Sequence, residues 1–427
     1  MVWFRNDLRV ADNSSLYGAA KHDHVIAAYF FDPRHYQEDI FGFRKTEKFR
    51  ARFLIETVGE LRENLQALGI PLLIFNDRPE SVMGKIIKDY GVQAVYLQKE
   101  WTEEETAVLD NVIESVPSEV FFKESYDQFL FHPEDIPYGQ FENIPNVFTQ
   151  FRKKCEKYSS VRPCLPAPDK RAQSLKVKET RIPNLEDLGF ESFDTDPRSA
   201  FPFSGGEEQA KLRVQEYFWE TRKLSYYKHT RNGLVGKDYS SKLSPWLANG
   251  SISARYIYWE VKKYEKEIVR NQDTYWLIFE LIWRDYFKYV SLKHGNRIFF
   301  RSGILNKDYS WSDNQAIRES WINGTTREPF VNANMKELAN TGWMSNRGRQ
   351  NVASYWAKEL EQDWRIGAAY FESMLLDYDV HSNWGNWMYN SGVGNDPRDR
   401  KFNIRLQADR YDGEGKFQRL WLQETLF

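Results

Sequence analysis

Across residues 1–125, short apolar runs alternate with stretches of helical periodicity. Val2–Phe4, Val25–Phe31, Pro71–Phe75, Ala94–Leu97 and Val120–Phe122 are the strand candidates. Between the second and third, Leu54, Val58, Leu61, Leu65 and Leu68 recur at three- and four-residue spacing, which places them on one buried helix face. Strands alternating with helices predict a doubly wound, parallel, Rossmann-like α/β sheet. Ligands in such sheets collect at the carboxyl ends of the strands. Those ends read Asn6-Asp7, Asp32-Pro33, Asn76-Asp77 and Lys99-Glu100, polar but of low specificity.

From residue 126 to 206 the pattern dissolves under Pro133, Pro137, Pro145, Pro163, Pro166, Pro168, Pro183, Pro197 and Pro202. This stretch is expected to be a connector that wraps the surface. Residues 207–427 are expected to form an all-helical domain. Its clearest helices are Gln209–Thr221, Ile252–Lys266, Trp276–Lys293, Asn346–Glu361 and Ala368–Leu376.

Composition narrows the function. The chain has 427 residues, 28% of them charged, and a net charge of −2. No run approaches the ~20 apolar residues of a membrane helix, and Met1–Asn6 lacks the basic-then-apolar order of a signal peptide. Cys155 and Cys164 cannot build a disulfide framework or a four-ligand zinc site by themselves. A reducing, cytoplasmic setting is expected. Thirteen of the 15 tryptophans lie between Trp219 and Trp421, either as core filling or to hold a flat ligand or conduct electrons. Between Gln209 and Asp308, Lys and Arg outnumber Asp and Glu by nine, a surplus that attracts polyanions.

The dinucleotide G-x-G-x-x-G, the P-loop, H-E-x-x-H and G-x-S-x-G are all missing, so a metal site is not expected. Three helical-half segments carry chemistry. Tyr239–Pro245 places hydroxyls, amides and Lys242 where phosphate oxygens could be satisfied, although a serine-rich cap gives the same pattern. Phe279–Phe287 puts Glu280, Trp283 and Arg284 on one face of a strongly apolar helix, where a charge needs a partner or a ligand. Thr341–Asn390 gathers Asn346, Arg349, Gln350, Asp377, Asp379 and Asn383, amides and carboxylates able to read the edges of a planar heterocycle.

With WFRNDLR at Trp3–Arg9, FGFRKTEKFRARFL, TRNGLVGKDYSSKLSPWLANG, ELIWRDYF, TGWMSNRGRQN and DWRIGAAYFESMLLDYDVHSNWGNWMYNSGVGNDPRDRKFN in order, the whole chain resembles the cryptochrome/DNA photolyase family, specifically its DASH-type cryptochromes. The resemblance starts inside the first strand, so a few further residues are expected before Met1. It implies U-shaped FAD in the helical domain. Tyr227 and Ser240, Ser241, Lys242, Leu243 and Ser244 would hold the phosphates with help from Arg284. Arg349 and Asp377 would pair beside the flavin ring, with Asp379 at its polar edge. Asn383 matches the position opposite flavin N5, where a neutral amide favours the reduced anion used for repair. Trp387, Trp364 and Trp311 match the electron relay, from the flavin to the surface.

By the same resemblance, Glu280, Trp283 and Asn346 contact a flipped cyclobutane pyrimidine dimer. The family's usual methionine is Gln350 here, and its second stacking tryptophan is Tyr389. Extruding a dinucleotide from a duplex costs a few kcal/mol, and stacking returns about 1–3 per base. The smaller, more polar pair therefore points to single-stranded or looped DNA. Arg347 and Arg400 are the expected DNA contacts. Lys99-Glu100 matches the pair that meets a 5,10-methenyltetrahydrofolate antenna, with Glu100 on the pterin edge. The expected protein is thus a monomeric, single-strand-specific, light-driven photolyase. A light sensor that regulates transcription is the rival reading, and the absence of a long extension after Phe427 favours repair. Asn332, where relatives carry aspartate, and the Arg327-Glu328 turn are expected to alter a loop beside the lesion pocket.

Overall fold

In the computed structural model, which describes residues 1–423, five parallel strands form one sheet. They are β1 (Val2–Trp3), β2 (Ala27–Phe30), β3 (Leu72–Phe75), β4 (Ala94–Gln98) and β5 (Phe121–Ser125), in the order β3-β2-β1-β4-β5. Val2 pairs with Ala27 on one side and Tyr96 on the other. Helices α1 (Ser14–Ala19), α2 (Lys48–Ala67), α3 (Pro79–Tyr90) and α4 (Glu103–Glu114) connect the strands.

Successive strand residues feed two different cores. Val2, Ala27 and Leu72 join Val58, Leu61 and Leu65 of α2. Trp3, Ala28 and Leu73 join Met83, Ile86 and Leu109 of α3 and α4. Both faces are buried, which is why these strands read as unbroken apolar runs. β5 lies further along the chain than its apolar residues suggested. It is an edge strand, registered residue by residue on β4 from Ala94–Phe121 to Gln98–Ser125, so backbone pairing fixes it rather than its exposed side chains.

The 126–206 stretch is more than a surface connector. It contains α5 (Phe148–Tyr158), and Phe129, Leu130, Phe131, Phe148, Phe151 and Phe201 belong to the core of the helical half. Phe148, Phe151 and Cys155 are the buried residues of α5, on one face at helical spacing.

The helical half follows with α6 (Glu207–Val214), α7 (Tyr227–Thr230), α8 (Ser244–Ala248), α9 (Ala254–Glu267), α10 (Gln272–His294), α11 (Gln315–Ile322), α12 (Pro329–Thr341), α13 (Asn346–Ser354), α14 (Trp364–Met374), α15 (Val380–Ser391), α16 (Ile404–Tyr411) and α17 (Lys416–Leu422). Two helices expected to be continuous widen into π-helical segments, Gln215–Glu220 after α6 and Tyr355–Glu359 after α13. Both segments carry buried aromatics, and the extra residue per turn re-aims them into the core.

The two halves are locked together. Arg255 of α9 pairs with Asp12 at 2.8 Å and Asp127 at 3.1 Å, all three side chains being buried. At Gly250 the chain takes φ +73°, and a Cβ there would fall 2.0 Å from the Asn6 carbonyl oxygen, so only glycine permits the approach. Among the described residues, no helix is long and apolar enough to cross a membrane, and no cluster of His, Cys, Asp and Glu could hold a metal.

Candidate active site

α10 is the spine of the site. Asn271 caps it through a reciprocal box with Thr274, and most of its length is packed in the core. Its charged residues consequently find partners on other elements. Glu280 pairs with Arg231 at the end of α7. Asp285 accepts the backbone N–H groups of Leu130 and Phe131 at 2.9 and 2.8 Å; burial nevertheless pushes its carboxyl up to about 7. Arg284 donates to the carbonyls of Leu247 (2.9 Å) and Gln128 (2.5 Å). That guanidinium, expected to help hold phosphates, lines the cavity and also spends two nitrogens fastening α10 to α8 and to the chain before α5.

Beside α10 opens a cavity of about 1580 Å³, its mouth included. Its buried wall contains Tyr227, Tyr239, Ser241, Lys242, Leu243 and Asp377; Ser240, Ser244 and Arg349 complete it. Among the described residues, the backbone N–H groups of Ser240, Ser241, Lys242 and Leu243 meet no carbonyl. Lys242 takes φ +62° and its buried Nζ has no hydrogen-bond partner; it lies 3.1 Å from the Tyr239 ring centroid. Burial holds this amine well below the usual lysine range and pushes the nearby Glu337 carboxyl up to about 8. Asp377 ties the wall together, accepting from Ser244 Oγ at 2.6 Å and from Arg349 Nη2 at 2.9 and 3.0 Å.

α15 presents Ser382, Asn386 and Tyr389 to the cavity, at spacings of four and three. Asp379 caps this helix through the Ser382 N–H (2.8 Å), lines the cavity, and pairs with the buried Lys288 at 2.6 Å. Burial raises its pKa, but Lys288, His381 and Arg284 outweigh that and keep it ionised. Asn383 is not on the lining face. It is buried, and its amide donates to the Ala368 carbonyl of α14 at 2.9 Å.

The more exposed groups mark the mouth: Glu280, Trp283, Asn346, Gln350 and Tyr389. Phe148 stacks on Trp283 with centroids 3.6 Å apart, and Tyr389 stands at 87° to it, 6.0 Å away. The two rings make an aromatic corner. Gln350 accepts from Arg347 at 2.8 Å, and Arg347 also donates to Asn232. The Tyr389 hydroxyl accepts from Arg400 at 3.2 Å. Both arginines expected to meet DNA therefore hang on side chains of the mouth.

Trp387 and Trp364 are fully enclosed, and Trp311 is 8% exposed. Trp364 Nε1 donates to the Arg301 carbonyl at 3.0 Å, and the Arg301 guanidinium donates to the Trp311 carbonyl. Glu100 lies apart from the cavity, at the end of β4. It is buried, accepts from Gln98 Nε2 at 2.8 Å, and is pushed by burial up to about 7. Gln98 Oε1 is buried without a donor among the described residues. Next to it Trp101 stacks on His381 of α15 at 4.4 Å.

Asn332 does not touch this site. From α12 its Oδ1 accepts from Thr326 N and Oγ1 and its Nδ2 donates to the Thr326 carbonyl, which closes the Thr326–Glu328 turn away from the cavity. Sequence reading also missed Arg231, Trp343, Ser382 and Asn386, all on the lining. Ser382 and Asn386 were legible with Tyr389 as one helix face, at spacings of four and three. Arg231 had no local signal, because its partner is 49 residues away.

An unpartnered row of amides, a buried lysine whose Nζ has no hydrogen-bond partner and a large cavity with an Arg–Asp pair fit a diphosphate-bearing planar cofactor such as FAD. Comparison with known proteins agrees. A family model for DNA photolyase matches residues 1–170, and one for the FAD-binding domain of DNA photolyase matches residues 276–426. The chain is 48% identical to cryptochrome DASH of Xenopus laevis, over 98% of this chain and 82% of that one. The crystal structure of a Synechocystis cryptochrome superposes with a TM-score of 0.95 at 47% identity, covering 99% of this chain and 88% of that one. A class III photolyase of Agrobacterium tumefaciens gives a TM-score of 0.81 at 25% identity, covering 99% and 86%.

Proposed function

The chain belongs to the cryptochrome/DNA photolyase family, among the DASH cryptochromes, and from that premise we propose that it repairs cyclobutane pyrimidine dimers in single-stranded or looped DNA under blue or near-UV light. One observation carries the reading. The groups suited to a damaged dinucleotide line the same cavity as the groups suited to FAD.

FAD, when bound, supplies absorption of light and, in its reduced form, an electron that can be lent and returned. The chain's residues do the rest. The amides of Ser240–Leu243 and the Ser244 hydroxyl would hold the diphosphate, and Arg349 with Asp377 would fix the ring edge. Asn383, held on Ala368 and off the lining face, would act on that ring only from behind the cavity wall, and its amide has no acidic proton to give. At the mouth, the corner of Trp283 and Tyr389 matches the V of two pyrimidines joined by a cyclobutane. Glu280, oriented by Arg231, and Asn346 offer hydrogen bonds to the base edges. Arg347, Arg400 and the basic surplus of 209–308 attract the phosphates.

Single-strand preference follows from the stacking balance. Phe148 already covers one face of Trp283, Tyr389 is smaller than an indole, and Gln350 is engaged by Arg347. The return on extruding a paired dinucleotide is correspondingly small. Trp387, Trp364 and Trp311 would carry electrons inward to restore the reduced cofactor. Glu100 and the free Gln98 oxygen suit the hydrogen-bonding edge of a folate antenna.

UV-irradiated oligo(dT) tests the proposal. Prereduced, FAD-loaded protein should remove dimers in light and not in darkness. Intact dimers after illumination would refute repair and leave the light-sensor reading.

A further inference from the structure

We propose that Tyr309 is the terminal electron donor of this chain, reducing an oxidised Trp311 while its phenolic proton passes to Asp399. The inference rests on the relay reading of Trp387, Trp364 and Trp311. Trp311 is still buried and so does not itself deliver the relay to solvent. The ring that continues outward from it is Tyr309, which is half-buried. A tight turn, with Trp311 N–H donating to the Tyr309 carbonyl at 2.8 Å, sets the two rings side by side. Their centroids are 4.9 Å apart and their planes 26° from parallel.

The phenol is also set up to lose a proton. It donates to Asp399 Oδ2 at 2.7 Å, while the other carboxylate oxygen is paired with Lys358. The Lys358 ammonium lies 4.7 Å from the Tyr309 ring centroid. Its neighbour Ala357 accepts the Trp311 indole N–H at 2.9 Å, so one π-helical segment fixes the whole group. The nearby cation disfavours positive charge left on either ring. An oxidised phenol is also a far stronger acid than a carboxylic acid. One electron therefore moves from Tyr309 to the Trp311 radical cation and one proton from the phenol to Asp399. The products are neutral Trp311, a neutral tyrosyl radical and a protonated carboxyl group. A thiolate from solution returns the electron, becoming a thiyl radical, and the proton on Asp399 returns to the phenol oxygen.

Flash excitation of the FAD-loaded, oxidised protein tests this, with tryptophanyl and tyrosyl radicals followed by transient absorption and electron paramagnetic resonance. A tryptophanyl signal should decay into a tyrosyl signal, several-fold more slowly in deuterated water than in ordinary water. Tyr309→Phe keeps the stacked ring; it should abolish the tyrosyl signal and lengthen the tryptophanyl lifetime several-fold. Asp399→Asn should slow the same step with the stack intact. A tryptophanyl radical that decays identically in Tyr309→Phe, with no tyrosyl signal in the unmodified protein, would overturn the proposal alone. The absence of any tryptophanyl radical would overturn the relay reading and the proposal with it.

Discussion

Arg231 and Glu280 form an ion pair at the cavity mouth, joining the end of α7 to the middle of α10. Burial pushes the Glu280 carboxyl up and the guanidinium opposes that, so the carboxylate is oriented by a partner that also stands among the basic residues. Glu280→Ala should leave FAD content unchanged and lower dimer repair roughly 10- to 100-fold, the scale of one charge-assisted hydrogen bond. Repair quantum yield and flavin absorbance on the same sample check both halves. Loss of flavin would instead make the residue structural.

That pair also shows what a sequence can and cannot disclose. Glu280 and Trp283 were legible because a charge and an indole interrupt an apolar helical repeat. Arg231 was not, because nothing local distinguishes it from the other basic residues around it. The sheet was legible from runs buried on both faces, whereas β5 was offset because its pairing with β4, not its own side chains, sets its bounds. α5 was hidden by prolines on either side, although Phe148 and Phe151 carried the periodicity. On α15 the family pattern drew the eye to Asn383, Trp387 and Tyr389, of which only Tyr389 shares the lining face with Ser382 and Asn386, one residue round the helix from Asn383.

Asp377 holds Ser244 and Arg349 at once, so it sets both the loop before α8 and the start of α13. Asp377→Asn removes the charge from a largely buried pair, a change that costs about 3 kcal/mol. FAD should bind roughly 100-fold more weakly, as read by the free flavin released on dilution. Unchanged retention would show that the Ser240–Leu243 amides hold the cofactor without it.

Trp387 is pressed on α14, where a Cβ on Gly367 would fall 2.2 Å from the indole. Trp387→Phe leaves a gap there and should cost about 1–2 kcal/mol of stability. Blue-light bleaching of oxidised flavin in the presence of a thiol should be lost, while chemically prereduced protein still repairs oligo(dT). Parallel loss of repair would mean that Trp387 shapes the cavity rather than carrying electrons.

Glu100 gives a pH signature. Its folded pKa is raised from 4.5 to about 7 by burial, so the native state holds a proton that the unfolded chain releases. The stabilisation is fully present below pH 4.5 and disappears as pH rises through about 7. At pH near 8 the ionised Glu100 should cost at most ~3 kcal/mol relative to its protonated form. Glu100→Gln keeps an acceptor for Gln98, so the variant's melting temperature should fall less between about pH 5 and pH 8 than that of the unmodified protein. An equal fall in both would place the acid in a hydrated setting and weaken its assignment to an antenna edge.

If repair is confined to single strands as proposed, Gln350 and Tyr389 should set that preference, and gain of function tests them. Gln350→Met frees Arg347 from its side-chain acceptor at the mouth, and Tyr389→Trp enlarges the perpendicular wall facing Trp283 while releasing Arg400 toward phosphate. Stacking is worth about 1–3 kcal/mol per base, and an indole in place of a phenol recovers part of that, about 1 kcal/mol. Repair of dimers within a duplex should rise roughly fivefold in the double variant, with repair of oligo(dT) little changed. The asymmetry is the informative result, because only the duplex substrate has an extrusion cost for the added stacking to offset. A matching rise on both substrates would mean that the mouth limits affinity for the dimer in general, and that strand preference is set by the surface beyond it.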